Sequence, residues 1–348
     1  MKIKNWIEIF ASFKELFEQL GNNSIENSKN NRFTNDEINQ INELILNQKN
    51  FNGWFTEESV RKALYELSIM LNKTELIKWL SDYSYAENPK NILIIMAGNL
   101  PLVGFHDLLC VWLSGNHATI KLSSDDKTLF PKILDTISKV HPEIISSYKF
   151  SNGPIKNIDA VIATGSDNAN LYFEKYFGHI PCLLRNNRTS LAILDGTETE
   201  DELLLLGNDL FDYFGKGCRN VSFLFIPENY DLNNLFEAIV PYGEIINNKK
   251  YGNNYDYNRA IHLMNQAPIL DNNFVLLKES NDLFSPIAMI HYHRYSESSI
   301  INDFISIHQE DIQIIIGHDY TPFGNSQKPK LAEYADQKDT MKWLNQLP

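Results

Sequence analysis

The 348-residue sequence is short of cysteine, of positive charge and of long apolar runs. Three cysteines at irregular spacing do not make a disulfide framework, and their odd number suggests reduced thiols and a cytoplasmic protein. No apolar run approaches the length of a membrane span. Lysine and arginine total 31 against 44 acidic residues, a formal charge of −13. That balance argues against nucleic acid as the main ligand, because phosphate contacts need a basic face. An anionic ligand would need local cationic or backbone-amide sites. The glycine-rich dinucleotide fingerprint and the Walker motif are both missing. No repeat of fixed period is present.

What remains is the composition of a globular protein. Apolar residues make up 43%, enough for a sizeable core, and the length allows two domains sharing an interface. The stretch Met1–Phe17 carries charges every few residues, which predicts an amphipathic helix and not a signal peptide. Helical spacing recurs in Trp6–Leu20, Ile38–Leu46 and Val60–Leu71, with a capping box at Thr34–Glu37. From Asn91 the pattern changes. Short apolar runs at Asn91–Met96, Ala118–Leu122 and Ala160–Ala163 alternate with helical segments at Val103–Leu113 and Lys127–Val140. Turn residues follow the strands, as in a doubly wound parallel sheet with its ligand at the strand ends. A second α/β set follows: strands at Leu191–Leu194, Val221–Ile226, Phe274–Leu277, Ile287–Tyr292 and Ile312–Ile316, with helices at Glu200–Phe214, Leu232–Ile239 and Ser296–Ile307. Tyr251–Asn258 is polar and aromatic and reads as a surface loop.

Cys218 stands apart from the other cysteines. A helix-like stretch breaks at Gly215 and Gly217, and an apolar strand follows at once. The thiol is thereby placed at a glycine-flanked turn that a carbonyl could approach. Lys216 and Arg219 flank it, and cations favour the thiolate. It is equally readable as an ordinary small buried hydrophobe, the reading preferred for Cys110 and Cys182. Asn99, in the turn after the first buried strand, could donate to an oxyanion, or could simply be a turn asparagine. Lys121 ends a strand and could reach a ribose or phosphate. Gly165 and Ser166 open a helix after a strand, a position that accepts phosphate. The carboxylate of Asp282 could hold a ribose hydroxyl. His291 and His293 share one strand face, but no partner of metal-ligand spacing accompanies them.

Taken in order, Gly98-Asn99-Leu100-Pro101, Gly115–Lys121, Thr164-Gly165-Ser166, Cys218, Asp282–Pro286 and Pro322-Phe323-Gly324 resemble the aldehyde dehydrogenase superfamily. The ending Thr321–Asp336 with Asp339–Leu344 is similar to the LuxC-type acyl-CoA reductases in particular. The resemblance covers roughly residues 70–348 and does not extend to the N-terminal helices. It implies an aldehyde-dehydrogenase-like α/β fold, with two doubly wound α/β domains and an N-terminal helical segment. The expected division is an N-terminal segment at 1–69, a nucleotide-binding domain at 70–185 plus 318–348, and a catalytic domain at 186–317. Cys218 is expected in the cleft between the two domains.

The resemblance also implies roles, position by position. Cys218 resembles the nucleophile, and Asn99 the oxyanion asparagine. Lys121 falls where a lysine holds the adenosine ribose. Ser124 takes the place of a glutamate found in NAD-preferring relatives, which leaves room for a 2′-phosphate and points to NADPH. Asp125 and Asp126 are expected to cap the next helix and face solvent; a carboxylate turned inward would favour NADH. Gly165 and Ser166 resemble the pyrophosphate side, and Asp282 replaces the usual ribose-binding glutamate. Arg185 falls where hydrolytic relatives carry a glutamate base. Its presence disfavours water attack on a thioester. The function implied is NADPH-dependent reduction of an acyl thioester, acyl-CoA and chiefly fatty acyl, to an aldehyde through a Cys218 acyl-enzyme. Alternatives are a CoA-acylating or hydrolytic aldehyde dehydrogenase, and a non-catalytic nucleotide-binding subunit. An acyl-transferase partner or a homo-oligomer is compatible with this reading. The chain is short for the superfamily, which puts its oligomerisation hairpin in doubt.

Overall fold

A computed structural model describes residues 3–23, 32–151, 153, 155–165 and 167–348. The chain divides into two compact units, residues 1–186 with 329–348, and residues 187–328.

The first unit begins with helices α1 (Ile3–Gly21), α2 (Asn35–Phe51), α3 (Glu57–Met70) and α4 (Lys73–Leu80). The Thr34 hydroxyl accepts from the Glu37 N–H while the Glu37 carboxylate accepts from the Thr34 N–H, the capping box read from the sequence. Then come β1 (Asn91–Ile95), α5 (Phe105–Leu113), β2 (His117–Lys121), α6 (Leu129–Val140), β3 (Tyr148–Phe150), β4 (Ala160–Thr164), α7 (Asp167–Phe177) and β5 (Cys182–Arg185). The sheet is parallel throughout, in the order β3-β2-β1-β4-β5. Strands buried on both faces must be apolar, and Ile92, Leu93, Ile94, Val161 and Ile162 are at most 1% exposed. The N-terminal helices join this core. Trp6 stacks on Trp112 of α5 with ring centroids 4.8 Å apart, and Phe13 and Phe17 meet Phe105 edge-on.

The second unit runs β6 (Thr189–Ile193), α8 (Glu200–Phe211), β7 (Val221–Pro227), α9 (Leu232–Ile239), α10 (Lys249–Met264), β8 (Leu270–Asp271), β9 (Leu276–Glu279), β10 (Met289–Tyr295), α11 (Ser298–Ile307) and β11 (Ile312–Ile316). Its sheet has the order β11-β6-β7-β10-β9-β8, with only the short β8 antiparallel. The chain then returns to the first unit, where α12 (Thr340–Asn345) closes it.

The surface loop expected at Tyr251–Asn258 is instead the middle of α10. Its helical face was masked by the many asparagines, yet Tyr251 and Tyr255 are 2% and 5% exposed, and the Asn248 side chain caps the N-terminus. The helix expected at Lys127–Val140 begins at Leu129. No described helix is long and apolar enough to cross a membrane.

Candidate active site

In the second unit α8 ends at Phe211, and the next turn is left-handed: Tyr213 (φ 52°, ψ 28°), Phe214 (φ 62°, ψ 25°) and Gly215 (φ 73°). Only glycine adopts this conformation freely; each of the two aromatic residues costs about 1–2 kcal/mol. The turn reverses the chain over few residues, so that Cys218 stands on a short loop before β7. Asn220, 2% exposed, supplies compensating bonds. Its Oδ1 accepts from the Gly217 N–H at 2.8 Å, and its Nδ2 donates to the carbonyls of Asp209 and Asp212. Carbonyls at the end of a helix lack helical partners, and this amide satisfies two of them. Ser190, fully buried, donates to the Cys218 carbonyl at 2.9 Å.

A second tie reaches the Pro322-Phe323-Gly324 motif. The buried Asp209 carboxylate accepts the N–H groups of Gly324 (2.7 Å) and Ser326 (2.9 Å). Burial pushes this carboxyl above its ordinary range, while those two N–H groups pull it back. Arg219 donates Nε–H to the Ser326 carbonyl at 2.7 Å, so the cation beside Cys218 is anchored through the same segment. The exposed Asp282 lies in the loop between β9 and β10. Ser222 donates to the Leu283 carbonyl and contacts Thr189, which brings that loop to the same amino-terminal edge of the sheet as Cys218. His291 donates from Nδ1 to the Asp282 carbonyl at 2.7 Å, and burial lowers its pKa. That bond gives the histidine a structural task.

In the first unit, Asn99, Lys121, Ser124 and Gly165 gather at the carboxyl ends of β1, β2 and β4. Ligands in open α/β sheets sit outside these ends, where the strand order reverses beside β1. The Asn99 loop is pinned from several sides. Asn52 donates to the Gly98 carbonyl at 3.3 Å. A Cβ on Gly98 would fall 2.5 Å from Ser123 Oγ, so the loop packs directly on the segment that follows β2. Lys121 and Ser124 are exposed. Gly165 is packed so closely on α7 that a Cβ would lie 2.9 Å from that of Ala169. Ser166 lies outside the described residues.

Asp126 departs from the sequence reading. It does not cap α6 but turns inward, 5% exposed, and accepts from the Leu102 N–H at 3.3 Å. Its other oxygen is buried without a hydrogen bond. Burial raises its pKa to about 6. Asp125 remains exposed, within 3.4 Å of the Ser124 hydroxyl.

Arg185 is 3% exposed and bonded to both Asp107 oxygens, to Thr340 and to the Ala335 carbonyl. No carboxylate at this position is available as a base. Cys110 is fully buried, and that burial pushes its thiol well above the ordinary range. Asp195, Glu198 and His318 form a cluster of metal-ligand type at the carboxyl ends of β6 and β11. Their atoms are spent on local bonds: Thr197 and then His318 hold the Asp195 carboxyl down, to about 2.

The sequence matches the family described as acyl-CoA reductase (LuxC) over residues 8–239, about two thirds of its length. The chain belongs to the LuxC acyl-CoA reductase family. It is therefore an aldehyde-forming acyl-CoA reductase. The match includes the N-terminal helices, beyond the reach of the sequence resemblance, and Cys218 with its loop.

Solved aldehyde dehydrogenases share the fold of this LuxC family member. The indole-3-acetaldehyde dehydrogenase of P. syringae, solved with NAD+, is 12% identical over 91% of this chain and 72% of its own, with a TM-score of 0.64. Aldehyde dehydrogenase 21 of Physcomitrella patens is 11% identical over 92% and 74%, with a TM-score of 0.63. The NADP-dependent glyceraldehyde-3-phosphate dehydrogenase of Bacillus halodurans, complexed with NADP, is 13% identical over 91% and 74%, with a TM-score of 0.60. None of the curated proteins matches the sequence.

Asn220, Asp209 and Ser190 were not singled out in the sequence. Only the position of Asn220, two residues after the cysteine and just before a strand, hinted at a loop-holding amide.

Proposed function

We propose that Cys218 is the nucleophile and that the reaction proceeds through an acyl-enzyme on its sulfur. The observation that carries this reading is the construction of the Cys218 loop: a left-handed turn held by a buried asparagine. Strain maintained by dedicated hydrogen bonds accumulates at functional sites. A cysteine needed only for packing requires none of it.

The thiolate attacks the thioester carbonyl. A bond forms between Sγ and the acyl carbon, and the carbon–sulfur bond to CoA breaks. CoA leaves as a thiolate and takes up a proton. The Cys218 backbone N–H would stabilise the oxyanion formed on the way; the resemblance gives Asn99 the same role. A nicotinamide, when bound, supplies the two electrons and the hydrogen that reduce the acyl carbon. The Sγ–carbon bond of the resulting thiohemiacetal then breaks, giving the aldehyde and regenerating the thiolate. The sum is acyl-CoA, NADPH and a proton giving aldehyde, CoA and NADP+. Arg185, committed to Asp107, supplies no base for water, which supports reduction over hydrolysis.

The residues at the carboxyl ends of β1, β2 and β4 support a dinucleotide as the cofactor. Lys121 would hold the adenosine ribose, Ser124 would receive the 2′-phosphate of NADPH, and Gly165 with the start of α7 would face the pyrophosphate. Asp282 would take the nicotinamide-side ribose. A second reading, NADH, is favoured by Asp125. Its carboxylate lies beside the Ser124 hydroxyl, where it would accept ribose hydroxyls and repel a phosphate. Initial rates with NADPH and NADH at equal concentration separate the two.

A further inference from the structure

We infer that Gln48 and Asn52, two buried amides at the end of α2, are positioning residues for the reaction: Gln48 for the segment that carries Ser124, Asn52 for the loop that carries Asn99. The inference rests on the roles proposed for Ser124 and Asn99. The face that α2 buries recurs every three or four residues, at Ile38, Ile41, Ile45 and Gln48, and Asn52 at the C-cap continues it. Isoleucine is what a helix packed on a core calls for. The last two positions are as buried as the others, 1% and 5% exposed, yet they carry amides. An amide taken out of water is unfavourable unless its hydrogen bonds are replaced. Packing gives no reason for the change from isoleucine, whereas the partners of the two amides do.

Helix α2 lies alongside α6 and runs the opposite way. Glu37 pairs with Lys139 at 3.4 Å, and Lys132 donates to Gln40 Oε1 at 2.6 Å. The end of α2 therefore meets the segment 122–128, which follows β2, carries Ser124 and leads into α6. Gln48 donates from Nε2 to the Thr128 hydroxyl at 2.9 Å. That hydroxyl makes no capping bond to α6, so its acceptor is directed at the amide. Asn52 turns to the other loop. Its Oδ1 accepts from the Trp54 N–H at 3.1 Å, which orients the amide, and its Nδ2 donates to the carbonyl of Gly98, the residue before Asn99. This loop runs on to Leu102, left-handed at φ 56°, a conformation that leucine does not hold by itself. One helix end thus ties both loops at the carboxyl ends of β1 and β2, with a separate hydrogen bond to each. The loops also touch, since Gly98 packs on Ser123, so a loss at one is felt at the other to a smaller degree.

The test uses the full chain and two readouts. Binding of NADPH and of NADH is measured by calorimetry, and acylation by octanoyl-CoA without nucleotide is followed by intact-mass spectrometry. Gln48→Ala should weaken the better-bound nucleotide about fivefold, the factor of one net hydrogen bond, and change acylation by less than about twofold. Thr128→Val removes the same bond from the other side and should do the same, and the double variant should be no worse than either single one. Asn52→Ala should slow acylation about fivefold and change nucleotide affinity by less than about twofold. Asn52→Asp keeps the acceptor for Trp54 and loses only the donor to Gly98, so it should behave like Asn52→Ala. Native nucleotide affinity in Thr128→Val overturns the role of Gln48, and native acylation in Asn52→Asp overturns that of Asn52. A lower melting temperature with both readouts moved equally by every variant makes the amides merely structural and overturns both. Asn99→Ala and Ser124→Glu, measured alongside, test the underlying roles. Native acylation in Asn99→Ala, or native binding of both nucleotides in Ser124→Glu, overturns that reading and the matching half of the inference with it.

Discussion

Asn220 holds Gly217 from within the loop, its Oδ1 accepting the glycine N–H at 2.8 Å. Lys216 separates Gly217 from the left-handed segment, and Cys218, Arg219 and Asn220 lead from it into β7. The asparagine thereby fixes the backbone that presents the thiol. Asn220→Ala leaves a buried N–H and two helix-end carbonyls without partners, a loss of roughly 1–3 kcal/mol. The expected outcome is a lower melting temperature and a slower Cys218 acylation rate, measured on the same preparation. Asn220→Asp should also be impaired, because an oxygen would replace the donor that faces two carbonyls. Acylation at the native rate in either variant contradicts this account of the loop.

Asp126 makes the stability of the first unit depend on pH. Its folded pKa of about 6 stands above the ordinary 3.8. A raised carboxyl binds its proton more tightly in the folded state, so its relative contribution is fully present below the unfolded value. That contribution is lost as pH rises through about 6. At about 1.4 kcal/mol per pKa unit the loss reaches at most about 3 kcal/mol above pH 7. Asp126→Asn keeps an acceptor for Leu102 and removes the charge. It should melt higher than the native protein at pH 8 and equal it near pH 4, as read by thermal denaturation across pH.

The buried pair of Asp107 and Arg185 predicts an asymmetry. Asp107→Ala strands a guanidinium in the interior and should cost about 3–5 kcal/mol in denaturant unfolding. Replacing both partners with leucine and methionine should cost much less. A small effect of Asp107→Ala would show that Arg185 finds other partners.

Cofactor choice is tested at two adjacent positions. Ser124→Glu should weaken use of NADPH by about 1–3 kcal/mol through like-charge repulsion while sparing NADH. Asp125→Asn should shift the native preference toward NADPH. Equal effects on the two cofactors in steady-state kinetics would place the determinant elsewhere.

Eight of the eleven described strands were legible because buried parallel strands are short continuous apolar runs; the short β3, β5 and β8 were not. The strand Ile312–Ile316 and the helix Leu232–Ile239 were read to the residue. Helix α10 was hidden because asparagine and tyrosine carry little apolar periodicity, although Tyr251 and Tyr255 are buried by packing. Cys218 and Asn99 stood out as candidates through glycine-marked turns and order along the chain. The inward turn of Asp126 was not, since it depends on Leu102, which adopts a left-handed conformation 24 residues earlier. Asp209 was equally unreadable: it looks like any polar residue of a helix until Gly324 and Ser326 fold onto it from far along the chain.

The acyl-enzyme is the most direct point of attack. The purified protein is incubated with octanoyl-CoA and no nicotinamide cofactor, and the adduct is located by peptide mass spectrometry. The account predicts a single octanoyl group on Cys218, absent from Cys218→Ala and discharged as octanal when NADPH is added. An adduct of the same yield on Cys218→Ala, or octanal formation by that variant at the native rate, would contradict it.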